Sequence, residues 1–416
     1  MSDESPIPRR RVIVVAALVV LAVVAAVVGY QVTRDDDGGG DTASSSSTTR
    51  APLGLDFYEA SDAQIADGEP GSLVWSREAS GATGTEGATT HQVLYRSVGA
   101  DEEPVAVSGL VTIPDGEPPQ GGWPVLSWGH GTTGTADDCA PSRGAMQGTG
   151  SFYSRLMSQV TGEYVRRGYV VVATDYEGLG TPGPHPYLMG ASAGRAMTDI
   201  VTAAGELDDG VSQRWLAAGH SQGGQAALFA GAVGPEHAPD LDLQGVVGIA
   251  PPSQLTEAFD SGQAAEMDAG VFAGPLVSSA ARVAGVEPEE VLTPEAVELL
   301  PQLEQRCLDG LSEEDSFGGL SVSEVVREGD SYEDVAEVVQ ENDTASIVPS
   351  VPVLVVQGDQ DTTVPTELTD SLVEIYEDED VDVTYELVEG ADHGSVLLEA
   401  AQPTTEWAQE TLPELP

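Results

Sequence analysis

The sequence contains no lysine, and its 16 basic side chains are all arginines, set against 69 aspartates and glutamates. The formal net charge is therefore −53 at pH 7. A surface of this sign repels nucleic acids and anionic lipid head groups, so we predict no nucleic-acid partner. Adaptation for solubility or high salt explains such a charge. A high-GC genome, which replaces lysine by arginine, is the alternative explanation.

Cysteine is nearly absent, because the chain has only Cys139 and Cys307. Neither closely follows the apolar run near the N-terminus, which argues against attachment as a lipoprotein. Both lie on the side of the membrane that the N-terminal segment predicts to be outside, where oxidising conditions favour a disulfide between them. Two separate buried thiols are the alternative.

The N-terminus has the pattern of a membrane anchor. Arg9 to Arg11 precede an uninterrupted apolar run of 18 residues from Val12 to Gly29. At about 1.5 Å per residue, a helix of this length nearly spans a hydrocarbon core of about 30 Å. Because arginines remain cytoplasmic, we predict a cytoplasmic N-terminus at 1–11, a transmembrane signal anchor at 12–30 and a disordered linker at 31–52.

A cleaved signal peptide is the alternative to this anchor, although the apolar run is long and offers no good small-residue cleavage site. The predicted location is therefore the cell membrane with the folded domain outside, or secretion if the segment is cleaved.

Apolar strands alternate with helical patterns through much of the predicted folded region, 53–416. The sequence predicts strands at His91 to Ser97, Val105 to Pro114, Trp123 to Trp128, Tyr169 to Thr174, Trp215 to Ala218, Leu243 to Ile249, Val351 to Gln357 and Val381 to Val388. Apolar spacing predicts helices at Phe152 to Arg167, Ala191 to Leu207, Thr366 to Glu377 and Ser395 to Leu412. This alternation is typical of the α/β class, a mostly parallel sheet with helices on both faces.

The alternation stops at about 251–347. This stretch is acidic, has no clear buried strand, and shows helical patterns at Glu289 to Leu308, Val322 to Val326 and Tyr332 to Val339. We interpret it as a helical cap domain inserted after the sixth main strand.

A serine stands in the sharp turn between one predicted strand and the next helix. The strand Trp215 to Ala218 leads into Gly219-His220-Ser221-Gln222-Gly223, and a helix-forming run follows at once. This is the G-x-S-x-G pattern of the α/β-hydrolase nucleophile elbow. Gly219 and Gly223 lack the β-carbons that would collide where strand and helix approach each other. We predict Ser221 as the nucleophile, against the alternative that it only caps the helix.

A serine hydroxyl needs a histidine base, and only His237 and His393 follow Ser221 in the chain. His393 comes after the last predicted strand, at the strand end where the ligand crevice of an α/β sheet lies. We therefore predict His393 as the general base and interpret His237 as an exposed loop residue.

The carboxylate that orients this histidine is expected in the turn after the preceding strand. Asp361 is favoured because it lies further into the turn, whereas Asp359 is expected to stabilise the turn through its own backbone. Asp392 is interpreted as a loop cap, and Glu177 is a distant alternative.

The oxyanion of the reaction needs two backbone N–H donors. Gln222, directly after the nucleophile, supplies one. The loop after the strand Trp123 to Trp128 supplies the other, with Thr132 favoured and Gly131 next. A tight turn that needs its glycines only for geometry is the alternative.

Together these motifs resemble the secretory lipase family of the α/β-hydrolases, the fungal lipase A type with bacterial relatives. The residues that carry the resemblance are HGTTG at His130 to Gly134, CAPS at Cys139 to Ser142, TDYEGLG at Thr174 to Gly180, GHSQGG at Gly219 to Gly224, IAPPS at Ile249 to Ser253, GDQDTTVP at Gly358 to Pro365 and DHG at Asp392 to Gly394. The resemblance covers about 51–416. It implies a lid-capped sheet, acyl-ester hydrolysis and the triad Ser221, Asp361 and His393. It also implies that Cys139 is bridged.

The sequence thus predicts an extracytoplasmic serine ester hydrolase, a lipase or esterase that acts through an acyl-enzyme without metal or cofactor. Acylglycerols are the favoured substrates, although the acidic cap, poor in aromatics, departs from the fungal lids that meet long-chain fat. An acyltransferase or peptidase using the same triad, and a non-catalytic surface-binding domain, are the alternatives.

Overall fold

The computed structural model describes residues 51–79, 85–149, 152–256 and 269–413. The predicted cytoplasmic segment, the signal anchor and nearly all of the linker lie outside these residues. Within the described ranges, no helix has both the length and the hydropathy that crossing a bilayer requires.

A mixed sheet of nine strands organises the described residues, with the order β1-β2-β3-β5-β4-β6-β7-β8-β9. The strands are β1 (Leu73–Glu78), β2 (Ala88–Val98), β3 (Pro104–Pro114), β4 (Trp123–Gly129), β5 (Val170–Thr174), β6 (Val211–His220), β7 (Asp242–Ile249), β8 (Val353–Gly358) and β9 (Val383–Val388). The first three pair antiparallel, and β3 joins β5 antiparallel. All strands from β5 across to β9 are parallel, which confirms the predicted, mostly parallel α/β sheet.

The parallel strands bring four loops to one edge of the sheet. Every residue of β4 and of β8 is buried, because helices cover both faces there. The carboxyl ends of β4, β6, β8 and β9 meet at the same edge, since parallel strands share one direction. The loops after them carry Thr132, Ser221, Asp361 and His393 respectively, so the topology gathers all four from distant parts of the sequence.

Helices pack on both faces of this sheet. In chain order, the α-helices of the described residues, including those of the cap, are α1 (Asp62–Ile65), α2 (Pro141–Gln147), α3 (Phe152–Arg166), α4 (Gly190–Leu207), α5 (Gln222–His237), α6 (Gly270–Val283), α7 (Pro294–Leu299), α8 (Leu308–Leu311), α9 (Val322–Val325), α10 (Tyr332–Glu341), α11 (Thr366–Asp378), α12 (Val396–Glu399) and α13 (Ala401–Thr411). One buried apolar cluster lies between the sheet and α4, α5 and α11. A second joins the opposite face to α3, α12 and α13.

The chain between β7 and β8 forms the cap. Its described residues are helical or irregular and add no strand to the sheet. Helices α6 to α10 surround an apolar cluster of their own, which includes Leu276, Leu292 and Phe317. Tyr187 and Leu188, from the loop before α4, belong to the same cluster and thereby attach the cap to the sheet.

Several predicted boundaries were wrong for local reasons. β1 was not predicted, so the cap follows the seventh strand and not the sixth. α6 was also missed, because its glycines and an internal proline, Pro275, weaken the helical pattern.

Proline breaks two of the predicted helices. The predicted helix Glu289 to Leu308 is divided into short segments that begin at or beside Pro288, Pro294 and Pro301. The predicted last helix is interrupted at Ala400. Pro403 cannot donate to the carbonyl of Glu399 four residues earlier, and its ring crowds that carbonyl.

Candidate active site

Ser221 occupies a strained turn between β6 and α5. Its φ is 56° and its ψ is −121°, a conformation that residues with a side chain rarely adopt. A β-carbon at Gly219 would overlap the backbone of Gly223, and one at Gly223 would overlap the carbonyl group of Gly129. These glycines therefore permit the close approach of strand and helix that the turn requires. The serine hydroxyl is held at the N-terminus of α5, where the helix dipole favours negative charge.

His393, in the loop after β9, lies between Ser221 and Asp361. Its Nε2 is 2.9 Å from Oγ of Ser221, and its Nδ1 is 2.7 Å from Oδ2 of Asp361. Because an ionised carboxylate only accepts, Nδ1 carries the proton and Nε2 is free to accept the hydroxyl hydrogen of Ser221. The three side chains predicted as a triad thus form one continuous chain of hydrogen bonds.

Asp361 is held as an ionised acceptor beneath His393. Its side chain is fully buried, Oδ1 accepts the amides of Thr363 and Val364 at 2.9 Å each, and Oδ2 also accepts Nε2 of Gln357 at 3.0 Å. Burial alone would raise the pKa of Asp361, but the hydrogen bond and charge of His393, together with the two amides, outweigh burial and lower it. The carboxylate therefore stays charged at neutral pH and orients the imidazole.

The other candidate carboxylates have different partners. Asp359 accepts the amide of Gly390 at 2.6 Å, so it ties the turn after β8 to the loop after β9. Asp392 accepts the amides of Gly394 and Ser395 at 3.1 and 2.8 Å, as a loop cap does.

The two remaining candidates lie in other environments. Glu177 accepts the amide of Ala100 at 2.9 Å and the hydroxyl of Ser192 at 2.5 Å. His237 is not the exposed loop residue that was predicted. It ends α5, is largely buried, and its Nε2 lies 2.8 Å from Oδ1 of Asp199 on α4, because the helix extends further than the sequence pattern indicated.

The backbone amides of the predicted oxyanion donors differ in whether they already have a protein acceptor. Among the described residues, neither the amide of Gln222 nor that of Thr132 donates to a protein acceptor. The amide of Gly131 is engaged, since it donates to the hydroxyl of Tyr153 at 2.7 Å. Thr132 is placed by its own hydroxyl, which lies 2.7 Å from that of Tyr187. This leaves Gln222 and Thr132, and not Gly131, with amides available to an oxyanion.

Two histidines beside the triad were missed by sequence reasoning. Burial, followed by the charge of His393, lowers the pKa of His220 to about 3. Burial likewise lowers the pKa of His185 to about 4. Nδ1 of His185 donates to the carbonyl of Glu177 at 2.7 Å, so its Nε2 accepts Nε2 of Gln222 at 3.0 Å. His220 stands inside the G-x-S-x-G motif, which could have drawn attention to it, but no local pattern indicates His185.

An apolar cavity of about 130 Å³ lies next to Ser221 and beneath the cap. Its wall joins the elbow, the turn after β8 and the cap, through Tyr187, Leu188, Ser221, Gln222, Pro252, Ser253, Leu255, Ala269, Phe272, Ala273, Leu276, Val322, Thr363, Val364, Pro365 and Leu368. Most of these side chains are hydrocarbon, and α6 of the cap supplies several of them. The cavity therefore has the chemistry to hold an acyl chain beside the serine.

A disulfide joins Cys139 to Cys307, so the structure contains the pair and not two separate thiols. Near it, the amide of Leu308 donates to the carbonyl of Thr133 at 2.9 Å. The hydroxyl of Thr135 donates to the carbonyl of Leu303 at 2.7 Å. The loop that carries Thr132 is thus fastened to the cap by one covalent bond and two hydrogen bonds. In the described part of the chain, no group of three or more His, Cys, Asp or Glu residues is arranged to hold a metal ion.

The family model for secretory lipases matches residues 157–414. The chain belongs to the secretory lipase family. The resemblance predicted from the motifs is therefore confirmed, and membership of a secretory family, together with the disulfide, indicates an extracellular protein.

Individual relatives of this family are similar at low identity. The chain is 26% identical over 350 residues to Lipase A of Arthroderma benhamiae, covering 78% of this chain and 71% of that protein. It is 27% identical over 332 residues to a Mycobacterium tuberculosis protein named probable inactive lipase MT1628, covering 77% of this chain and 72% of that protein. The crystal structure of Candida antarctica lipase A matches with a TM-score of 0.69 at 20% identity, covering 86% of both chains. This match confirms the α/β-hydrolase fold.

Proposed function

We propose that this protein is an extracytoplasmic carboxylic ester hydrolase that acts through an acyl-enzyme on Ser221. The observation that carries the proposal is the hydrogen-bond chain from Asp361 through His393 to Ser221, at 2.7 and 2.9 Å, beside an apolar cavity. In this reaction Nε2 of His393 takes the hydroxyl proton as the serine oxygen attacks the ester carbonyl. The imidazolium that forms is stabilised by Asp361 and then protonates the departing alcohol.

The second half of the reaction uses the same groups. Water replaces the alcohol, His393 removes its proton, and attack on the acyl carbonyl releases the carboxylic acid and restores the serine. In both halves the carbonyl oxygen becomes negative, and the amides of Gln222 and Thr132 are proposed to stabilise it. The position of Gln222 at the first turn of α5 adds the favourable end of the helix dipole.

The cavity supports an ester with a hydrocarbon acyl chain as the substrate. Phe272 and Leu276 of the cap and Leu368 beyond β8 line it, and none of these side chains offers a charged partner for a polar acyl group. We propose acylglycerols as the substrate class, because this lining is apolar and because the relative from Arthroderma benhamiae is named a lipase.

A non-catalytic binding domain is the second candidate, and the relative named probable inactive lipase favours it. The complete hydrogen-bond chain around Ser221 favours the enzyme.

We also propose that the enzyme domain spans 53–416 with its cap at about 251–347, and that the N-terminal segment tethers it to the outer face of the membrane.

A fluorophosphonate probe and a panel of p-nitrophenyl esters of graded chain length test the proposal. The purified protein should react with the probe at Ser221 and hydrolyse the esters. Ser221→Ala should abolish both while the protein remains folded, because only one hydroxyl is lost, at a half-buried turn; losses for triad nucleophiles reach about 10⁶ in turnover. A folded wild-type protein that reacts with neither probe nor ester would favour the binding domain. A Ser221→Ala variant that keeps a tenth of the activity would exclude Ser221 as the nucleophile.

A further inference from the structure

A chain of three hydrogen bonds runs beside the proposed triad and connects the loop after β4 to the loop after β9. The amide of Gly131 donates to the hydroxyl oxygen of Tyr153 at 2.7 Å. The same hydroxyl lies 3.1 Å from Nδ1 of His220, and Nε2 of His220 lies 2.8 Å from the backbone carbonyl of His393. The path therefore begins in the loop after β4, crosses α3 and the end of β6, and ends in the loop after β9.

The direction of each bond follows from the carbonyl at its end. A carbonyl can only accept, so Nε2 of His220 carries the proton and donates to His393. A neutral imidazole has one N–H, so Nδ1 of His220 must accept the hydroxyl hydrogen of Tyr153. The oxygen of Tyr153 is then left to accept the amide of Gly131. All three bonds are satisfied at once, and each donor points from the loop after β4 towards the loop after β9.

Each end of this path lies next to a group that the proposed reaction uses. Gly131 immediately precedes Thr132, so the bond to its amide anchors the backbone one residue before the amide that is proposed to bind the oxyanion. The bond to the carbonyl of His393 anchors the backbone of the general base, and the two imidazole rings pack with centroids 4.8 Å apart. A β-carbon at Gly131 would come within 2.7 Å of the hydroxyl of Tyr153, so this glycine also leaves room for the path.

His220 does not exchange protons in this arrangement. It is buried, both of its ring nitrogens are engaged, and its partners are a tyrosine hydroxyl and a backbone carbonyl. Burial lowers the pKa of His220 to about 3, so the ring is uncharged at neutral pH. Its contribution is therefore geometric.

We propose that Tyr153 and His220 are positioning residues, which hold the oxyanion loop and the catalytic histidine in fixed relation to Ser221. This inference rests on the proposed ester hydrolysis. A positioning role affects the turnover step, because misplacement of reacting groups by about 1 Å can cost about 100-fold in rate.

Three substitutions remove different parts of the path. Tyr153→Phe deletes the hydroxyl and keeps the bond from His220 to His393. His220→Leu removes both bonds of the imidazole, whereas His220→Gln keeps an N–H donor close to the position of Nε2. The matched controls are Tyr164→Phe, which alters a buried tyrosine on the same helix, and His237→Gln, which alters a histidine at the far end of α5.

The assay is steady-state hydrolysis of p-nitrophenyl butyrate by the full-length protein, with active sites counted by fluorophosphonate labelling. We expect kcat per labelled site to fall about 10- to 100-fold for Tyr153→Phe and for His220→Leu, with KM nearly unchanged. His220→Gln should recover a large part of the loss. The kcat of the double variant Tyr153→Phe/His220→Leu should be no lower than that of His220→Leu alone, because both changes break the same chain of hydrogen bonds. The controls should keep the kcat of the wild type.

Four outcomes separate this inference from its alternatives. If Tyr153→Phe and His220→Leu lower only the melting temperature and keep kcat per labelled site, the residues are structural and the inference is wrong. If His220→Leu does not fold, Tyr153→Phe and Gly131→Ala decide it by the same criterion. Loss of activity in Ser221→Ala with unchanged Tyr153→Phe would refute the inference alone. Retained activity in Ser221→Ala would refute the proposed function itself.

Discussion

Replacing Asp361 by asparagine should disable ester hydrolysis without unfolding the protein. Four donors converge on this carboxylate: Nδ1 of His393, Nε2 of Gln357 and the amides of Thr363 and Val364. A carboxylate accepts from all four, since both of its oxygens are acceptors. An asparagine side chain has the same shape but only one acceptor oxygen.

The fixed backbone decides how that asparagine would be oriented. The amides of Thr363 and Val364 belong to the turn itself, so the single oxygen must face them and the NH₂ group must face His393. Nδ1 of His393 would then have to accept, which moves the ring proton to Nε2. A histidine in this tautomer cannot take the proton of Ser221. The wrong tautomer costs about 10⁴ in turnover, or about 5.4 kcal/mol of activation free energy at about 1.36 kcal/mol per factor of ten.

Asp359→Asn is the matched control, because Asp359 lies two positions earlier in the same turn. Its Oδ1 accepts the amide of Gly390 at 2.6 Å, and an asparagine oxygen can accept the same bond. We therefore expect a much smaller loss of turnover for this variant. The measurement is kcat with p-nitrophenyl butyrate, alongside circular dichroism to verify folding. If Asp359→Asn were the more impaired of the two, the assignment of the acid to Asp361 would be wrong.

Three further predictions concern stability. The Cys139–Cys307 disulfide closes a loop across a sequence separation of 168 residues. Replacing both cysteines by serine should cost up to about 5 kcal/mol of unfolding free energy by the chain-entropy estimate, and unchanged denaturant midpoints would contradict this. Because the chain carries a net charge of −53, the melting temperature should rise between low salt and about 1 M sodium chloride, where the Debye length falls to about 3 Å; a flat series would show that repulsion is unimportant. Burial lowers the pKa of His185 to about 4, so below about pH 6.5 the unfolded chain binds more protons than the folded one. The free energy of unfolding should then decrease as the pH is lowered from about 6.5 to about 4, by up to about 1.4 kcal/mol per pH unit for this histidine. If the free energy of unfolding of the His185→Gln variant had the same pH slope as that of the wild type, His185 would not be the source of this dependence.

Local pattern was informative wherever the structure depends on neighbours in sequence. The strands β4, β5 and β8 and the second half of β7 are mostly apolar, so they could be recognised without knowledge of their partners. β1 was not predicted, because its apolar and polar residues do not alternate regularly and its place in the sheet depends on pairing with β2. The cap was recognised by the absence of strands, but its helix boundaries were wrong where prolines and glycines interrupt the periodicity.

The residues of the candidate site likewise differ in how far the local sequence could predict them. The elbow sequence determined where Ser221 would stand, because only glycine tolerates the contacts on either side of it. The position of His393 after the last predicted strand ranked it above His237. The ranking of Asp361 above Asp359 was an expectation from turn position, and the structure places Asp361 against His393 and Asp359 against Gly390.

The sequence by itself determined the fold class and the Gly-x-Ser-x-Gly turn, because these depend on apolar periodicity and on glycines within a few residues of one another. The family followed from the resemblance of its motifs to those of the secretory lipases. Only the tertiary structure decided which of the predicted amides has a protein acceptor and which side chains contact the loops that carry Thr132 and His393. Tyr153 and His220 are separated by 67 positions, and no local pattern links a tyrosine on one helix to a histidine at the end of a strand. Their contact exists because α3 packs on the face of the sheet that includes β6, so that the tyrosine reaches the end of that strand.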